Sequence, residues 1–262
     1  MSADPVVIVS YARTPMGGFQ GALSALKATE LGAAAVKAAI ERAGVDGVEV
    51  GRIYMGCVLP AALGQAPARQ AALGAGLPDS VQATTVNKMC GSGMQAAIMA
   101  VEALQAGAVG VVVAGGMESM TNAPYAMGKH RGGARIGHDR IIDTMMMDGL
   151  EDAYTPGKPM GAFAQDTAND YQFSREMQDA YAMRSLERAR DAISSGAFAG
   201  EIVAVEVKTR TGSVTVDTDE QPGQARPDKI PNLKPAFAAD GTITAASSAS
   251  ISDGAAALVL VA

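Results

Sequence analysis

The sequence predicts an α/β fold in which helices cover a sheet of short apolar strands. Runs of Val, Ile and Leu of strand length alternate with longer segments whose apolar residues recur with helical spacing. Hydrophobic residues make up 48% of the 262 residues, which is enough for a substantial core. Aromatic residues are scarce while alanine and glycine are abundant, so we expect the helices to pack closely on the sheet through small side chains.

The first part of the chain predicts two strands and two helices. Pro5 to Ser10, a continuous Val/Ile run, predicts a short buried strand, which a glycine-rich loop follows. The next amphipathic segment predicts a helix that Thr29 caps and Gly44 ends. Arg52 to Leu59 predicts another strand, and the segment from Pro67 to Leu73 predicts a further helix because proline is favoured at a helix start.

The stretch from Thr84 to Gly107 predicts a strand that delivers Cys90 to the start of a helix. Free amides and the positive dipole end at a helix N-terminus stabilise a thiolate, and the thiolate is the reactive form of cysteine. Gly91 and Gly93 leave no Cβ to block a substrate that approaches the sulfur. The pattern therefore predicts an exposed nucleophile. The apolar residues of the helix at helical spacing are Met94, Ala97, Ile98, Val101 and Leu104.

Two other interpretations of Cys90 stay open on the residues alone. A free cysteine is often a small buried core residue. The string from Gly91 to Ala96 also fits the G-x-G-x-x-G/A fingerprint of dinucleotide-binding folds, which would make the chain an NAD-binding dehydrogenase. That interpretation is disfavoured because the preceding run, TTVNKM, is polar for a buried strand, and the apolar run from Val109 to Ala114 stands where an acidic ribose ligand is expected.

A long polar segment follows this helix and strand. Val109 to Ala114 predicts a buried strand that Gly115 and Gly116 end. From Glu118 to Asp152 the chain is polar and rich in glycine and methionine, without sustained periodicity, so we predict a loop. The two histidines of this segment, His130 and His138, are more simply loop residues than a base for the cysteine.

The last third predicts one long helix and three strands. Ser174 caps a helix that runs to Ser195. Glu201 to Lys208 and Ser213 to Asp217 predict a hairpin, and Ala255 to Val261 predicts a final apolar strand. A strand of that kind without a helix after it leaves an apolar face, so we expect a partner surface there.

Composition excludes several classes of function. A formal net charge of −6 argues against nucleic acid as a partner. No apolar run approaches the length of a membrane span and the N-terminus lacks the features of a signal peptide, so we expect a cytoplasmic protein with no membrane contact. The two cysteines form neither a CxxC pair nor a metal-ligand cluster with the histidines, so we expect reduced thiols and no metal.

Several segments carry a resemblance to a known family. The segment VNKMCGSGMQAA resembles the nucleophile motif of the thiolases, the acetyl-CoA acetyltransferase family. Further segments agree with that family in the same order along the chain: ARTPMGGFQGALS, MGCVLPAALGQAPARQAAL, VVVAGGMESMTNAPY, MGAFAQDTA, LKPAF and SDGAAALVL. Together they span nearly the whole sequence. The chain is therefore identified as a member of the thiolase family that matches the N-terminal half of the family's proteins.

The resemblance implies a fold and a reaction. The fold is a βαβαβαββ half with a mixed sheet covered by helices, formed by residues 1–118 and 174–262, with an inserted loop region, 119–173, for subunit contact and the substrate side. Cys90 matches the family's acyl carrier, which takes an acyl group from an acyl-CoA as a thioester. A carbanion from acetyl-CoA then attacks that thioester in a Claisen condensation, or thiolysis runs in reverse. Coenzyme A thioesters are substrates, and no permanently bound cofactor is implied.

The resemblance also implies coenzyme A contacts. The family's serine position falls on Ala249, so the hydroxyl is absent there, although Ser248 and Ser250 flank it. Cys57 does not match the family's second cysteine and is interpreted as structural. The implied contacts are Leu150, Met160, Phe237, Ser248 and Ala249.

The family's second-half motifs, NEAF, GHP and CxGGG, do not occur in the sequence. These motifs supply the asparagine, histidine and second cysteine that move protons and stabilise the enolate. We therefore expect this chain to be catalytically incomplete alone. It would act as a homo-oligomer, a dimer or tetramer, or with a complementing thiolase C-terminal half; the alternative is a non-catalytic scaffold half.

Overall fold

A computed structural model describes residues 5–262. Within that range the chain forms two compact units, one built from the described residues up to Ala123, Phe198–Glu220 and Ser252–Ala262, and the other from Pro124–Ala197 and Gln221–Ile251. The elements in chain order are β1 (Val7–Arg13), β2 (Gly17–Gly18), α1 (Ala28–Ala43), β3 (Val50–Gly56), α2 (Pro67–Gly74), β4 (Gln82–Val86), α3 (Ser92–Gln105), β5 (Val111–Ser119), β6 (Tyr125–Met127), β7 (Ile141–Asp143), α4 (Met160–Asp170), α5 (Arg175–Ser194), β8 (Val205–Thr209), β9 (Gly212–Val216), α6 (Glu220–Gln224) and β10 (Ser252–Val261).

The first unit is built on a mixed sheet with the order β1-β10-β5-β3-β4. Strands β3, β4 and β5 are parallel, whereas β10 runs antiparallel to both of its long neighbours. Because side chains alternate along β3, Ile53 and Met55 pack with α1 and α2, while Tyr54 packs with α3. The predicted α/β class with a mixed sheet covered by helices is confirmed.

Strand β1 corrects one prediction. Its Val/Ile run was expected to be buried, but Val7, Ile8 and Val9 are exposed. The cause is the position of β1 at the end of the sheet order, beside β10 alone. A continuous apolar run is typical of a strand covered on both faces, and an edge strand carries the same residues without that cover.

Helix α1 begins and ends with different kinds of cap. The predicted N-cap, Thr29, is wrong, since the cap position is Lys27, whose backbone N–H donates to Glu30 Oε2 at 2.8 Å. The acidic side chain in the first turn therefore accepts from the amide of the cap residue, which is one half of a capping box. At the other end Gly44 takes the left-handed conformation, φ 66°, and the predicted stop is confirmed.

Strand β5 is longer than the sequence predicts. Gly115 and Gly116 were expected to end it, but it continues to Ser119 in register with β10. A Cβ on Gly115 would overlap the backbone carbonyl of Ala256 on the neighbouring strand. The glycine therefore allows two backbones to approach closely, and it does not stop the strand.

Helix α3 buries its alanines and Leu104, but it leaves two of its large apolar side chains exposed. Met94 and Ile98 are 74% and 43% exposed, whereas Ala96, Ala100 and Ala103 are buried against the sheet. The small side chains let the helix axis lie close to the strands, which a line of methionine and isoleucine would prevent.

The second unit holds most of the predicted loop. Within Glu118 to Asp152, β6 and β7 pair antiparallel, and a π-helical turn covers Met146–Leu150. Ser174 caps α5 as predicted, since its hydroxyl accepts from Met177 N at 3.3 Å. Across residues 5–262 the structure contains no helix long and apolar enough to cross a membrane.

The predicted hairpin is confirmed in the first unit. Strands β8 and β9 pair antiparallel, with Val205 opposite Val216 and Thr209 opposite Gly212.

Candidate active site

The turn between β4 and α3, Asn87 to Ser92, presents Cys90 to solvent and is called the cysteine turn below. The Ser92 hydroxyl closes the turn, because it accepts from Lys88 N at 2.8 Å and donates to Met89 O at 2.5 Å. Met89 has a φ of 51°, a left-handed conformation that costs a residue with a side chain about 1–2 kcal/mol. The backbone that carries Cys90 is therefore strained at Met89, and other contacts must stabilise it.

Glycines let the start of α3 pack directly on the parallel strands β3 and β5. A Cβ on Gly56 would lie 2.8 Å from both Gly93 N and the Cβ of Ser92. A Cβ on Gly116 would lie 3.6 Å from the Cα of Gly93. Gly56, which ends β3, and Gly116, which lies within β5, thus leave room for the first residues of α3 to pack beside these strands, next to the cysteine turn.

Cys57 has the opposite environment and is almost fully buried. Its thiol donates to Glu118 Oε1 at 3.6 Å, and Glu118 also accepts from the amides of Val58 and Leu59 at 2.8 and 3.0 Å. Burial, then the negative charge of Glu118, raises the pKa of Cys57 to about 12. Burial also raises the pKa of Glu118, against the hydrogen bonds that it accepts. Cys57 is the structural thiol that the sequence predicts.

The second unit contains a cavity of about 820 Å³ along one side of α5. Apolar side chains of α5, among them Leu186 and Ala189, form one wall. Residues of the 245–250 segment form another, including Ser248 and Ala249, which were predicted as coenzyme A contacts. The Ser248 hydroxyl donates to the backbone carbonyl of Thr244 at 2.7 Å. A largely apolar cleft with a few hydroxyls and amides is the usual form of a small-molecule site.

The other predicted contacts lie elsewhere in the same unit. Leu150, Met160 and Phe237 are not among the residues that line the cavity. The ring of Phe237 packs on Gly161 so closely that a Cβ there would overlap it, which places Phe237 beside the start of α4, where Met160 is half exposed. Leu150 ends the π-helical turn.

The histidines keep the role that the sequence indicates. His130 Nδ1 lies 3.0 Å from Asp139 Oδ2 in the exposed loop after β6. The hydrogen bond from the backbone amide of Arg140 lowers the pKa of Asp139, and the bond to His130 lowers it by a smaller amount. In the described part of the chain, no group of three or more His, Cys, Asp or Glu side chains is placed to hold a metal ion.

Sequence reasoning missed the residues that hold the cysteine turn. Asn87 accepts from Met89 N at 3.1 Å and donates to Val58 O at 3.4 Å. Asn87 and Ser92 flank the cysteine within the motif itself, and short polar side chains beside a turn are a recognised sign of local side-chain to backbone bonds. Glu118 gave no such signal, because its partners lie some 60 residues earlier in the chain.

Comparison with known proteins agrees with this geometry. The family model "Thiolase, N-terminal domain" matches residues 6–262. Acetyl-CoA acetyltransferase 2 of Arabidopsis thaliana is 53% identical over 98% of this chain, which covers 64% of that protein. The acetyl-CoA acetyltransferase of Schizosaccharomyces pombe is 47% identical over 97% of this chain and 65% of that protein.

A solved structure gives the same result. The crystal structure of a thiolase from Ascaris suum in complex with coenzyme A superposes with a TM-score of 0.91 at 41% identity, over 98% of this chain and 65% of that one. The chain thus spans less than two thirds of the length of each of these three relatives. A family model that matches almost every residue, together with these relatives, shows that the chain belongs to the thiolase family, as its N-terminal domain.

Proposed function

We propose that this chain performs the acyl-accepting step of a thiolase, with Cys90 as the nucleophile. The observation that carries the proposal is the exposed sulfur of Cys90 at the start of α3, in a turn held by hydrogen bonds. The sulfur attacks the carbonyl carbon of an acyl-CoA and forms a new carbon–sulfur bond. The bond to the coenzyme A sulfur breaks, and the released thiolate takes up the proton that the cysteine gave up.

The complete reaction is acetyl-CoA C-acetyltransfer. A carbanion made from acetyl-CoA would attack the acyl-cysteine in a Claisen condensation, and thiolysis would be the reverse. Making the carbanion requires a proton acceptor at the α-carbon and donors for the enolate oxygen. The motifs that the family resemblance implies for these roles are absent from the sequence, so we propose that a complementing thiolase segment supplies them.

We further propose that the second unit binds the coenzyme A part of the substrate. The cavity along α5 supports this, because Ser248 and Ala249 line it and its volume of about 820 Å³ suits a large ligand. Leu150, Met160 and Phe237 would contact the ligand away from that cavity. The complex of the Ascaris suum thiolase with coenzyme A is consistent with the ligand class.

The experiment that tests the acyl-accepting step uses the purified chain and acetyl-CoA. Mass spectrometry of a digest should find one acetyl group on the Cys90 peptide and none on the Cys57 peptide. Cys90→Ser should abolish the modification, and Cys57→Ser, as the matched control, should keep it. An unmodified Cys90 would refute the proposal, and activity of the isolated chain in acetoacetyl-CoA thiolysis would show that the proton acceptor lies within these residues. A chain with neither reaction would be the scaffold alternative.

We also propose self-association through the 119–173 region, as a dimer or tetramer in the cytoplasm. Large apolar side chains there are exposed, including Tyr125, Ile136 and Ile141, which favours an interaction surface. Both cysteines are free thiols, which suits a reducing compartment. Light scattering after gel filtration should give a multiple of the chain mass, and Ile136→Asp with Ile141→Asp should reduce it.

A further inference from the structure

The proposed acyl transfer makes no use of the partly buried carboxylate at the end of β5. Glu118 spans the gap to the segment after β3, where its two oxygens accept from the consecutive amides of Val58 and Leu59 at 2.8 and 3.0 Å. The amide of Cys57 donates to Val86 O, the last residue of β4, at 3.0 Å. The segment that Glu118 holds is therefore tied to the strand that leads into the cysteine turn.

A chain of hydrogen bonds continues from that segment to the cysteine. The carbonyl of Val58 accepts from Asn87 Nδ2 at 3.4 Å. The other end of the same amide, Asn87 Oδ1, accepts from Met89 N at 3.1 Å. Met89 is the residue before Cys90 and has the left-handed backbone of the turn. The bonds thus run in order from Glu118 through Val58 and Asn87 to the amide of Met89, the residue before the nucleophile.

Ser92 holds the turn from only one side. Its hydroxyl bonds Lys88 N and Met89 O, and both bonds tie the turn to the first residue of α3. The Met89 amide depends on Asn87 instead. Asn87 is exposed, so its orientation is fixed only if a firm partner accepts from its amide group. The backbone of Val58, clamped by Glu118, is that partner.

We propose that Glu118 is a positioning residue for Cys90, acting through Val58 and Asn87 to hold the cysteine turn. Its relevance to acyl transfer rests on the proposed function. Glu118 does not touch the substrate in this role. It keeps the sulfur at the N-terminus of α3, and a thiol displaced from the amides of a helix start reacts more slowly.

The test measures the rate constant for alkylation of Cys90 by iodoacetamide in the native chain, at fixed pH, by mass spectrometry of the Cys90 peptide. Glu118→Gln leaves one oxygen to accept from the amides of Val58 and Leu59 and places an NH₂ donor against the other amide. We expect the alkylation rate constant of Cys90 to fall about tenfold, the scale of one broken hydrogen bond. Asn87→Ala should lose about the same. The matched control is Glu102→Gln, the same change on the exposed face of α3, which should stay within about twofold of the unaltered chain.

Two further variants test the route. Asn87→Asp keeps the acceptor for Met89 N but loses the donor to Val58 O, so it should react as slowly as Asn87→Ala. The double variant Glu118→Gln with Asn87→Ala should be no more than about twofold slower than the slower single variant, because both changes break one chain. Losses that multiply would overturn the route through Asn87.

Thermal unfolding separates positioning from stability. A Glu118→Gln chain that melts earlier while Cys90 reacts at the unaltered rate would make Glu118 a stabilising residue only and overturn the proposal. Acetyl transfer from acetyl-CoA to Cys90 in the unaltered chain is the separate measure of the proposed function. Loss of alkylation in the variants without acetyl transfer in the unaltered chain would retain the positioning role and refute the function. Acetyl transfer in the unaltered chain together with unchanged alkylation in the variants would support the function and refute the positioning role.

Discussion

Replacing Gly56 by alanine should displace the start of α3, and with it the cysteine turn, from strand β3. The added Cβ would lie 2.8 Å from Gly93 N and from the carbonyl carbon and Cβ of Ser92, whereas non-bonded carbon contacts are comfortable near 3.5–4.0 Å. Strand β3 cannot move away, because Gly56 pairs with Val86 on one side and Gly116 on the other. The start of α3 must therefore shift by about 0.7 Å or more.

The magnitude follows from overpacking in a rigid place. Such insertions cost about 1–3 kcal/mol, which for a chain of this size lowers the melting temperature by about 2–10 °C. A shift near 1 Å in a reacting group can slow its reaction by up to about 100-fold. We expect Gly56→Ala to lower both the melting temperature and the rate of acetyl transfer to Cys90.

The assay pairs this variant with Gly110→Ala. A Cβ on Gly110 meets no atom within 4 Å, so this change should leave the melting temperature and the acetyl transfer rate unaltered. Differential scanning fluorimetry and mass spectrometry of the Cys90 peptide measure the two quantities. If Gly56→Ala matches Gly110→Ala in both, the close approach of α3 to β3 does not position the cysteine.

Other measurements test the remaining contacts. At about pH 8, a thiol whose pKa is about 12 holds about a thousandfold less thiolate than a thiol whose pKa has the ordinary value of 9.0. Cys57 should therefore stay unlabelled by iodoacetamide until urea unfolds the chain. Rapid labelling of Cys57 in the native chain would contradict its burial. Burial opposes ionisation of Asp219, but the hydrogen bonds from Arg13 and a backbone amide lower its pKa. The ionised Asp219 therefore stabilises the fold above about pH 4, and this contribution is lost as the pH falls through the lowered pKa. Asp219→Asn should reduce the free energy of unfolding at neutral pH by about 1–3 kcal/mol and flatten its decline in acid. An unchanged dependence of the unfolding free energy on pH, measured by urea titration, would exclude this ion pair as the cause of that decline. Gly161→Ala should displace the Phe237 ring and weaken coenzyme A binding in calorimetry, and undiminished affinity would remove Phe237 from the proposed contacts.

The sequence predicted the elements because their signals are local. Helix α3 and its cysteine follow from glycine spacing and periodicity, and the caps at Ser174 and Gly44 follow from backbone chemistry within a few residues. Burial depends on the neighbours instead. The Val/Ile run of β1 gives no sign of its place at the sheet edge, and Met94 gives no sign that alanines would face the strands.

The candidate site divides in the same way. Cys90 was predicted because a motif surrounds it, and Ser248 and Ala249 were placed by a neighbouring motif that the structure puts along a cavity. Glu118 could not be predicted, since its role depends on strands β3 and β5 lying side by side. A carboxylate distant in sequence acquires a role only when the sheet brings the two strand ends together.

One carboxylate is linked to both cysteines through hydrogen bonds. Glu118 raises the pKa of Cys57, after burial itself, and the same oxygens hold the segment that Asn87 uses to fix the turn of Cys90. Because burial is the larger cause, Cys57 should remain protected even in Glu118→Gln. Slower labelling of Cys90 beside an unlabelled Cys57 in one digest would then report a displaced turn in a folded chain, whereas a general loosening would expose both thiols together.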